Sequence, residues 1–421
     1  DAGDDCQHNA WMKDKIDKKL VAETGVKGKL VSWALKQDKP GFCRWLADKL
    51  VFKEGLEDIV AGTTSICFID GRLGRLVYRG YDVADLVKGS FEETVYLLWH
   101  EKLPSKAELD AFDAELRFHR QVPVGVINTL KTLPRQGHPM NHLRTAVSMM
   151  GIFEVDGDDC SRASEVAKAL RLTAQFPTLV AAIYRISIGA EPIAPRPDLS
   201  HAANFLYMMF GKEQPELFVK AMDMGLILHA DHEFNASTFT AREIASTLSD
   251  MHSAVVGAIG ALKGPLHGGA NEGVMRTLLE IGSLEKVEPW LAAARASKRK
   301  VMGFGHRVYK TKDPRAKILQ KTSEEVGVAT GNRSWFDMSV KLEELVLAGE
   351  KPLYPNVDFY SASMYYQMNI PFELYTPIFA VSRIAGWTAH ILEQHGHNRI
   401  IRPAAEYTGP EQLDYVAVEK R

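Results

Sequence analysis

The most informative segment of this 421-residue chain is Gly303-Phe-Gly-His-Arg-Val-Tyr-Lys-Thr-Lys-Asp-Pro-Arg315. It combines a glycine turn with His306 and four cations. The cations are Arg307, Lys310, Lys312 and Arg315. A solvated basic loop is one interpretation. Because the whole chain has a net charge of only −2, such a local density of cations favours a site for phosphate or carboxylate groups. The segment contains neither G-x-G-x-x-G nor G-x-x-x-x-G-K-[ST], so neither a Rossmann site nor a P-loop is predicted.

Two further segments place titratable groups in unusual surroundings. Upstream, Gly264-Pro-Leu-His-Gly-Gly-Ala-Asn271 sets His267 among glycines just before a predicted helix, where the backbone can approach a ligand closely. A plain helix–turn–helix joint is the alternative.

Downstream, Tyr354-Pro-Asn-Val-Asp-Phe-Tyr-Ser361 surrounds Asp358 with apolar side chains. Desolvation there would raise the pKa of Asp358 and make it a usable base, whereas Asn356 is equally well explained as a helix cap.

The segment His229-Ala-Asp-His-Glu233 ends an apolar helix and spaces two histidines at i, i+3. A metal site, and with it a metal-dependent hydrolase built on His229, His232 and Glu233, is one interpretation, although the order is not H-E-x-x-H. We favour a second interpretation, in which one histidine faces a ligand and the other is satisfied within the helix.

Arg383 interrupts another apolar helix and needs an internal carboxylate or an anionic substrate as its partner.

The remaining pattern predicts a mostly α protein. The apolar stripe from Leu217 to Leu228 and the segment Ser382 to Gln394 have helical periodicity. The segment from Thr63 to Tyr78 predicts two short strands joined by a tight turn, and no strand–helix alternation follows it. Residues 1–52 predict short amphipathic helices, Met12 to Leu20 and Phe42 to Leu50, that form an N-terminal arm.

Composition excludes several classes of protein. Lys and Arg (51) nearly balance Asp and Glu (53), which argues against a nucleic-acid partner. The apolar stretches are shorter than the ~18 residues that a membrane span requires. The four cysteines form no C-x-x-C, and the acidic start from Asp1 to Asp5 lacks the pattern of a signal peptide. We therefore expect a cytoplasmic protein with reduced thiols and no membrane association.

Together these segments, in this order, resemble the citrate synthase family. The resemblance runs from about Gly55 to Pro410. It implies a two-domain helical fold with a small β-hairpin, in which residues 53–270 and 376–421 form the large domain and residues 271–375 a small domain that closes the active-site cleft. It also implies a homodimer, or a higher assembly of dimers, in which each chain contributes one arginine to its neighbour's site.

The resemblance also implies roles for individual residues in joining acetyl-CoA to oxaloacetate. Asp358 would remove a proton from the acetyl-CoA methyl group, His267 would hydrogen-bond the thioester carbonyl, and His306 would polarise the oxaloacetate keto group. The carboxylate-binding positions are His232, Arg315, Arg383 and, from the neighbouring subunit, Arg402. Lys310 and Lys312 are candidates for contacts with CoA phosphates. The family's chemistry uses no metal or redox cofactor, since the coenzyme A thioester is a substrate.

A second member of the same family is the nearest rival. 2-Methylcitrate synthase uses the same residue types but takes propionyl-CoA, and discriminating one methylene is worth only ~1–3 kcal/mol, so the sequence leaves the acyl-CoA open. A non-catalytic helical assembly protein is disfavoured because His267, His306 and Asp358 are all present. No catalytic role is predicted for the remaining histidines of the second half. These are His252, His390, His395 and His397.

Overall fold

A computed structural model describes residues 54–56, 59–405 and 407–421 of the chain. The chain divides into two compact units, Asp1–Thr63 and Thr64–Arg421. In the described part of the first unit, a single 3₁₀ turn covers Glu54–Leu56. The predicted helices at 12–20 and 42–50, and the arm at 1–52 as a whole, lie outside the described residues.

The second unit is mostly α-helical, as predicted from the sequence, and its described part contains sixteen α-helices. In chain order they are α1 (Val83–Leu86), α2 (Phe91–His100), α3 (Lys106–Phe118), α4 (Val124–Thr132), α5 (Pro139–Ile152), α6 (Arg162–Ser187), α7 (His201–Phe210), α8 (Glu216–His229), α9 (Ala236–Ser246), α10 (Met251–Leu262), α11 (Ala270–Ile281), α12 (Val287–Ala296), α13 (Pro314–Ala329), α14 (Ser334–Leu347), α15 (Val357–Gln367) and α16 (Tyr375–Gly396). Short 3₁₀ turns cover Leu284–Lys286, Phe372–Leu374 and Val418–Lys420.

A small antiparallel sheet precedes the helices. Its strands are β1 (Cys67–Asp70), β2 (Arg75–Tyr78) and β3 (Tyr81–Asp82), in the order β1-β2-β3. The Asp70 carboxylate accepts hydrogen bonds from the backbone N–H groups of Arg72 and Leu73, which closes the turn between β1 and β2. The predicted hairpin is therefore confirmed, and the two-residue strand β3 is an addition that the sequence pattern did not indicate.

Helix α16 forms the centre of the core. Every residue from Tyr375 to Leu392 is buried, as expected for a helix that carries apolar residues on all sides. It packs against α2, α6, α8, α9 and α10. A Cβ on Gly386 would lie 2.3 Å from the carbonyl oxygen of Ala230, so the absence of a side chain lets α16 touch the segment that follows α8. This contact brings Arg383 of α16 close to the histidine-rich segment.

The predicted fold class is confirmed by this arrangement. None of the described helices combines the length and the apolar character needed to cross a membrane. The division into a large domain and a small domain of residues 271–375 stays a prediction.

Candidate active site

The segment 303–315 is held against the start of α15 by backbone pairing. Phe304 and Pro355 form an antiparallel bridge, flanked by hydrogen bonds from Asn356 N–H to the Gly303 carbonyl (2.9 Å) and from Gly305 N–H to the Tyr354 carbonyl (2.8 Å). Both glycines have positive φ angles, 83° and 81°, which favour glycine. Since Asn356 directly precedes α15, this pairing sets the loop of His306 beside the helix that carries Asp358.

His306 presents a neutral N–H donor. Its Nδ1 accepts hydrogen bonds from the backbone N–H groups of Val308 (2.9 Å) and Tyr309 (3.2 Å), so this nitrogen carries no proton. Burial lowers the pKa of His306 to about 4, which keeps the ring neutral near pH 7. The proton therefore resides on Nε2, which is available to polarise a carbonyl group.

His267 is also a neutral N–H donor, but its proton resides on the other ring nitrogen, Nδ1. Its Nε2 accepts from the backbone N–H of Ser237 at 3.4 Å and lies 2.8 Å from the Ser237 hydroxyl oxygen, so the proton of the neutral ring resides on Nδ1. Burial lowers the pKa of His267 to about 3. A Cβ on the next residue, Gly268, would lie 2.6 Å from the Leu262 carbonyl oxygen, so the turn requires glycine there. A plain helix–turn–helix joint, the alternative interpretation of this segment, does not account for the Nδ1–H donor of His267.

Asp358 lies in the first turn of α15, where Asn356 caps the helix by accepting from the Asp358 N–H (3.1 Å). The Asp358 side chain is buried, and its Oδ1 has no hydrogen-bond partner. Burial raises the pKa of Asp358 to about 7 although the charges of Arg315 and Arg383 lower it. The carboxyl group is therefore poised to exchange a proton near neutral pH.

The two histidines of segment 229–233 have different surroundings. Helix α8 ends at His229, so His232 lies beyond the helix and the i, i+3 face that the sequence suggested does not form. The His229 Nδ1 lies 2.7 Å from the Gly225 carbonyl oxygen, which satisfies this ring within the helix. The His232 ring lies 5.2 Å from the His306 ring, and its Nε2 is 3.2 Å from the Tyr309 hydroxyl. The second interpretation, one ligand-facing and one satisfied histidine, fits this arrangement.

Two of the predicted arginines are buried beside these groups. Arg315 donates through Nε (3.0 Å) and Nη2 (2.7 Å) to the carboxylate of Asp313, so its charge has an internal partner. Arg383 donates through Nε to the His229 carbonyl oxygen at 2.6 Å, but its Nη1 has no hydrogen-bond partner. Burial lowers the pKa of Arg383 only to about 10, so the side chain stays charged. A buried cation with an unused donor suits an anionic ligand.

Arg402 is not part of this cluster within one chain. The neighbouring Ile401 N–H donates to Ser246 Oγ (2.9 Å) at the C-terminal end of α9, whereas Ser237, which contacts His267, lies at the other end. The two serines are nine positions apart along the helix, which corresponds to a rise of about 14 Å. The Arg402 side chain is exposed.

The two predicted lysines differ in their availability. Lys310 is exposed, and its Nζ has only a long contact of 3.4 Å with the Arg307 carbonyl oxygen. The Nζ of Lys312 instead donates to Glu343 (2.6 Å) and Gln320 (2.7 Å). Of these two lysines, only Lys310 therefore presents its charge to an incoming phosphate.

Sequence reasoning missed the residues that support the cluster. Asp231 is fully buried, and its carboxylate lies 3.3 Å from Nε2 of His390, whose Nδ1 accepts from Arg242 at 3.2 Å. Tyr78 of β2 donates to the Asp231 carbonyl oxygen at 3.0 Å and so fixes the backbone before His232. Asp231 stands inside the quoted segment, but only the fold brings His390 to it.

The metal interpretation has no geometric support at these histidines. Among the residues that the structure describes, one group brings three potential ligand atoms together, namely Cys160, Glu165 and His395. It does not include His229, His232 or Glu233. Even there, both ring nitrogens of His395 are occupied, by Glu165 at 2.7 Å and by the Ala245 carbonyl oxygen at 2.9 Å.

Comparison with known proteins shows the family of this chain. The family model described as citrate synthase, C-terminal domain, matches residues 55–404. Citrate synthase 2 of Bacillus subtilis is 51% identical over 369 residues, which cover 87% of this chain and 98% of that protein. A 2-methylcitrate synthase of Mycobacterium tuberculosis is 45% identical, covering 86% and 91%. The chain also resembles a solved structure, the ternary complex of citrate synthase from the archaeon Thermoplasma acidophilum with carboxymethyl coenzyme A and oxaloacetate. The two superpose with a TM-score of 0.83 at 35% identity, covering 88% of this chain and 99% of that chain.

Proposed function

Since the chain belongs to the citrate synthase family of acyltransferases, we propose that it condenses acetyl-CoA with oxaloacetate and water to give citrate and CoA. One observation carries this proposal: a buried carboxyl group with a pKa near 7 lies in the same cluster as two neutral imidazoles whose N–H groups are free to donate. Removing a proton from a carbon next to a carbonyl group requires this combination of base and donors.

The first step is enolisation of the thioester. The Asp358 carboxylate takes a proton from the methyl carbon, and the electron pair of the broken C–H bond moves toward the thioester oxygen. The Nδ1–H of His267 donates a hydrogen bond to that oxygen as negative charge develops there. Because the His267 pKa is about 3, the ring approaches this oxygen as a neutral donor.

The second step forms the carbon–carbon bond. The enol carbon attacks the keto carbon of oxaloacetate while the Nε2–H of His306 donates to the keto oxygen and supplies its proton. His232, Arg315 and Arg383 bind the carboxylates and orient the keto group. The unpaired Nη1 of Arg383 supports this role. Water then hydrolyses the citryl-CoA thioester, which releases CoA and citrate.

The neighbouring subunit would complete the site. Arg402 is exposed and lies away from the cluster of its own chain, which supports donation of its guanidinium to a partner's site in a homodimer. Lys310, also exposed, would contact a CoA phosphate. The proposed steps use protein side chains alone and need no metal or redox cofactor. The cytoplasmic location stays a prediction.

The second candidate is 2-methylcitrate synthesis from propionyl-CoA, favoured by the 45% identity to an enzyme of that name. The deciding experiment compares kcat/KM for acetyl-CoA and propionyl-CoA with oxaloacetate, with the products identified by mass spectrometry. A preference for acetyl-CoA with citrate as product is expected. A preference for propionyl-CoA would replace the first candidate by the second, and turnover of neither thioester would refute both.

A further inference from the structure

A largely buried polar cluster connects the His306 loop with helix α15. We call it the Lys312 cluster, and it consists of Lys312, Gln320, Glu343 and Tyr360. The Lys312 Nζ donates to one Glu343 oxygen (2.6 Å) and to the Gln320 Oε1 (2.7 Å). The Tyr360 hydroxyl donates to the other Glu343 oxygen and accepts from the Gln320 Nε2 at 2.9 Å. These four side chains thus form a closed ring of hydrogen bonds.

The charges of this cluster are largely removed from solvent. The side chains of Lys312 and Glu343 are 17% and 8% exposed, and the Lys312 Nζ lies 5.4 Å from the centre of the Tyr360 ring. A buried ion pair contributes little net stability, because desolvation offsets the attraction, but it fixes the geometry of the groups it joins. Removing one partner leaves the other charge buried and uncompensated.

The cluster joins the two elements that carry the chemistry. Lys312 belongs to the loop of His306, and Tyr360 follows Asp358 by two residues in α15. The backbone pairing of Gly303 with Asn356 ties the same two elements together at their other point of contact. The loop and the helix are therefore held at two separate points, one made by the backbone and one by these side chains.

We propose that Lys312 is a positioning residue, which through Glu343 and Tyr360 holds the His306 loop at the working distance from Asp358, and that it does not bind CoA. The inference rests on the proposed condensation. Its effect is expected in the turnover number, because a displacement of about 1 Å between reacting groups is able to reduce the rate ~100-fold.

The test compares Lys312→Met with Lys310→Met and Lys317→Met. Lys317 is exposed, lies on α13 outside the cluster, and serves as the neutral control. We expect Lys312→Met to lower kcat at least ~10-fold while KM for the acyl-CoA stays within about twofold of the native value. Lys310→Met should instead raise that KM, and Lys317→Met should change neither constant.

Three further variants separate positioning from general destabilisation, namely Glu343→Gln, its combination with Lys312→Met, and Tyr360→Phe. Lys312→Met combined with Glu343→Gln removes both buried charges, so the double variant should lose less activity than the product of the single losses. Tyr360→Phe keeps the ring but cuts its link to Glu343, and it should lower kcat even if Lys312→Met does not fold. Thermal melting, measured for every variant, identifies those that fold.

The possible results distinguish this inference from the proposed function. If the native enzyme condenses neither thioester, the proposed function itself fails. If the native enzyme is active but Lys312→Met raises KM for the acyl-CoA with kcat unchanged, Lys312 binds CoA and the positioning role is refuted. Unchanged kcat and KM in a folded Lys312→Met or Tyr360→Phe variant also refutes it.

Discussion

The pKa of Asp358 predicts how the rate depends on pH. Burial raises this pKa to about 7, whereas the pKa values of His306 and His267 are lowered to about 4 and 3. Between pH 6 and pH 8 the ionisation of Asp358 should therefore control the rate, because both imidazoles stay neutral. The ionised fraction of a carboxyl group with this pKa rises from about 9% at pH 6 to about 91% at pH 8, so the rate should increase about tenfold.

The assay must report on the unliganded enzyme, to which this pKa applies. The rate at limiting concentrations of both substrates does so, and acetyl-CoA deuterated in the methyl group shows whether proton removal controls that rate. Asp358→Asn, which keeps the shape of the side chain, should lose activity by roughly 10²–10⁴-fold while still binding oxaloacetate. The assignment of Asp358 as the base would be refuted if the rate stayed constant from pH 6 to pH 8 while the deuterium isotope effect showed that proton removal controls that rate.

Three further predictions concern single substitutions. In Gly71→Ala the new Cβ would lie 2.2 Å from the Val308 carbonyl oxygen, so the His306 loop should move. We expect kcat/KM for oxaloacetate to fall at least ~10-fold in steady-state assays. Gly260→Ala, where the new Cβ would enter open space, is the control, and equal activities of the two variants would contradict the prediction. Arg383→Met should weaken oxaloacetate binding roughly 10–100-fold in calorimetry, since a charge-assisted hydrogen bond is lost, and an unchanged Kd would show that Arg383 does not bind the substrate. Burial raises the pKa of Asp223 to about 8, whereas its pKa in the unfolded chain is near 4. Between these two pH values only the folded state keeps the proton, so the stability of the protein falls as the pH rises toward 8. Asp223→Asn should therefore raise the melting temperature more at pH 8 than at pH 5, and an equal increase at both pH values would contradict this.

Local patterns in the sequence predicted a large part of the fold. The apolar stripe from Leu217 to Leu228 lies in α8, and the predicted helix at 382–394 is part of α16. Both are helices whose apolar periodicity is visible within a few turns. The apolar neighbours of Asp358 likewise indicated a raised pKa, because residues adjacent in a buried helix remain adjacent in the fold. These successes depend on interactions between residues close in sequence.

Long-range pairing could not be predicted in the same way. From the sequence, Lys312 was predicted to contact a CoA phosphate as one of several neighbouring cations. Its partner Glu343 lies 31 residues further along the chain, in helix α14. The partner of Asp231, His390, is 159 residues away, so its sequence neighbourhood offered no reason to assign it a supporting role. In both cases a single sequence displays the charged residue but not the side chain that the fold places beside it.

A single physical cause prepares the acid and the base of the proposed site. Desolvation disfavours the charged form of any group, so it raises the pKa of Asp358 and lowers those of His267 and His306. In the proposed reaction the histidines therefore act as neutral donors that stabilise developing negative charge. The carboxyl group, with the charges of Arg315 and Arg383 opposing the desolvation, stays ionised in a large fraction of molecules at neutral pH. Without these arginines the same burial would protonate Asp358, so the cations proposed to bind the substrate's carboxylates also maintain the ionised form of the proposed base.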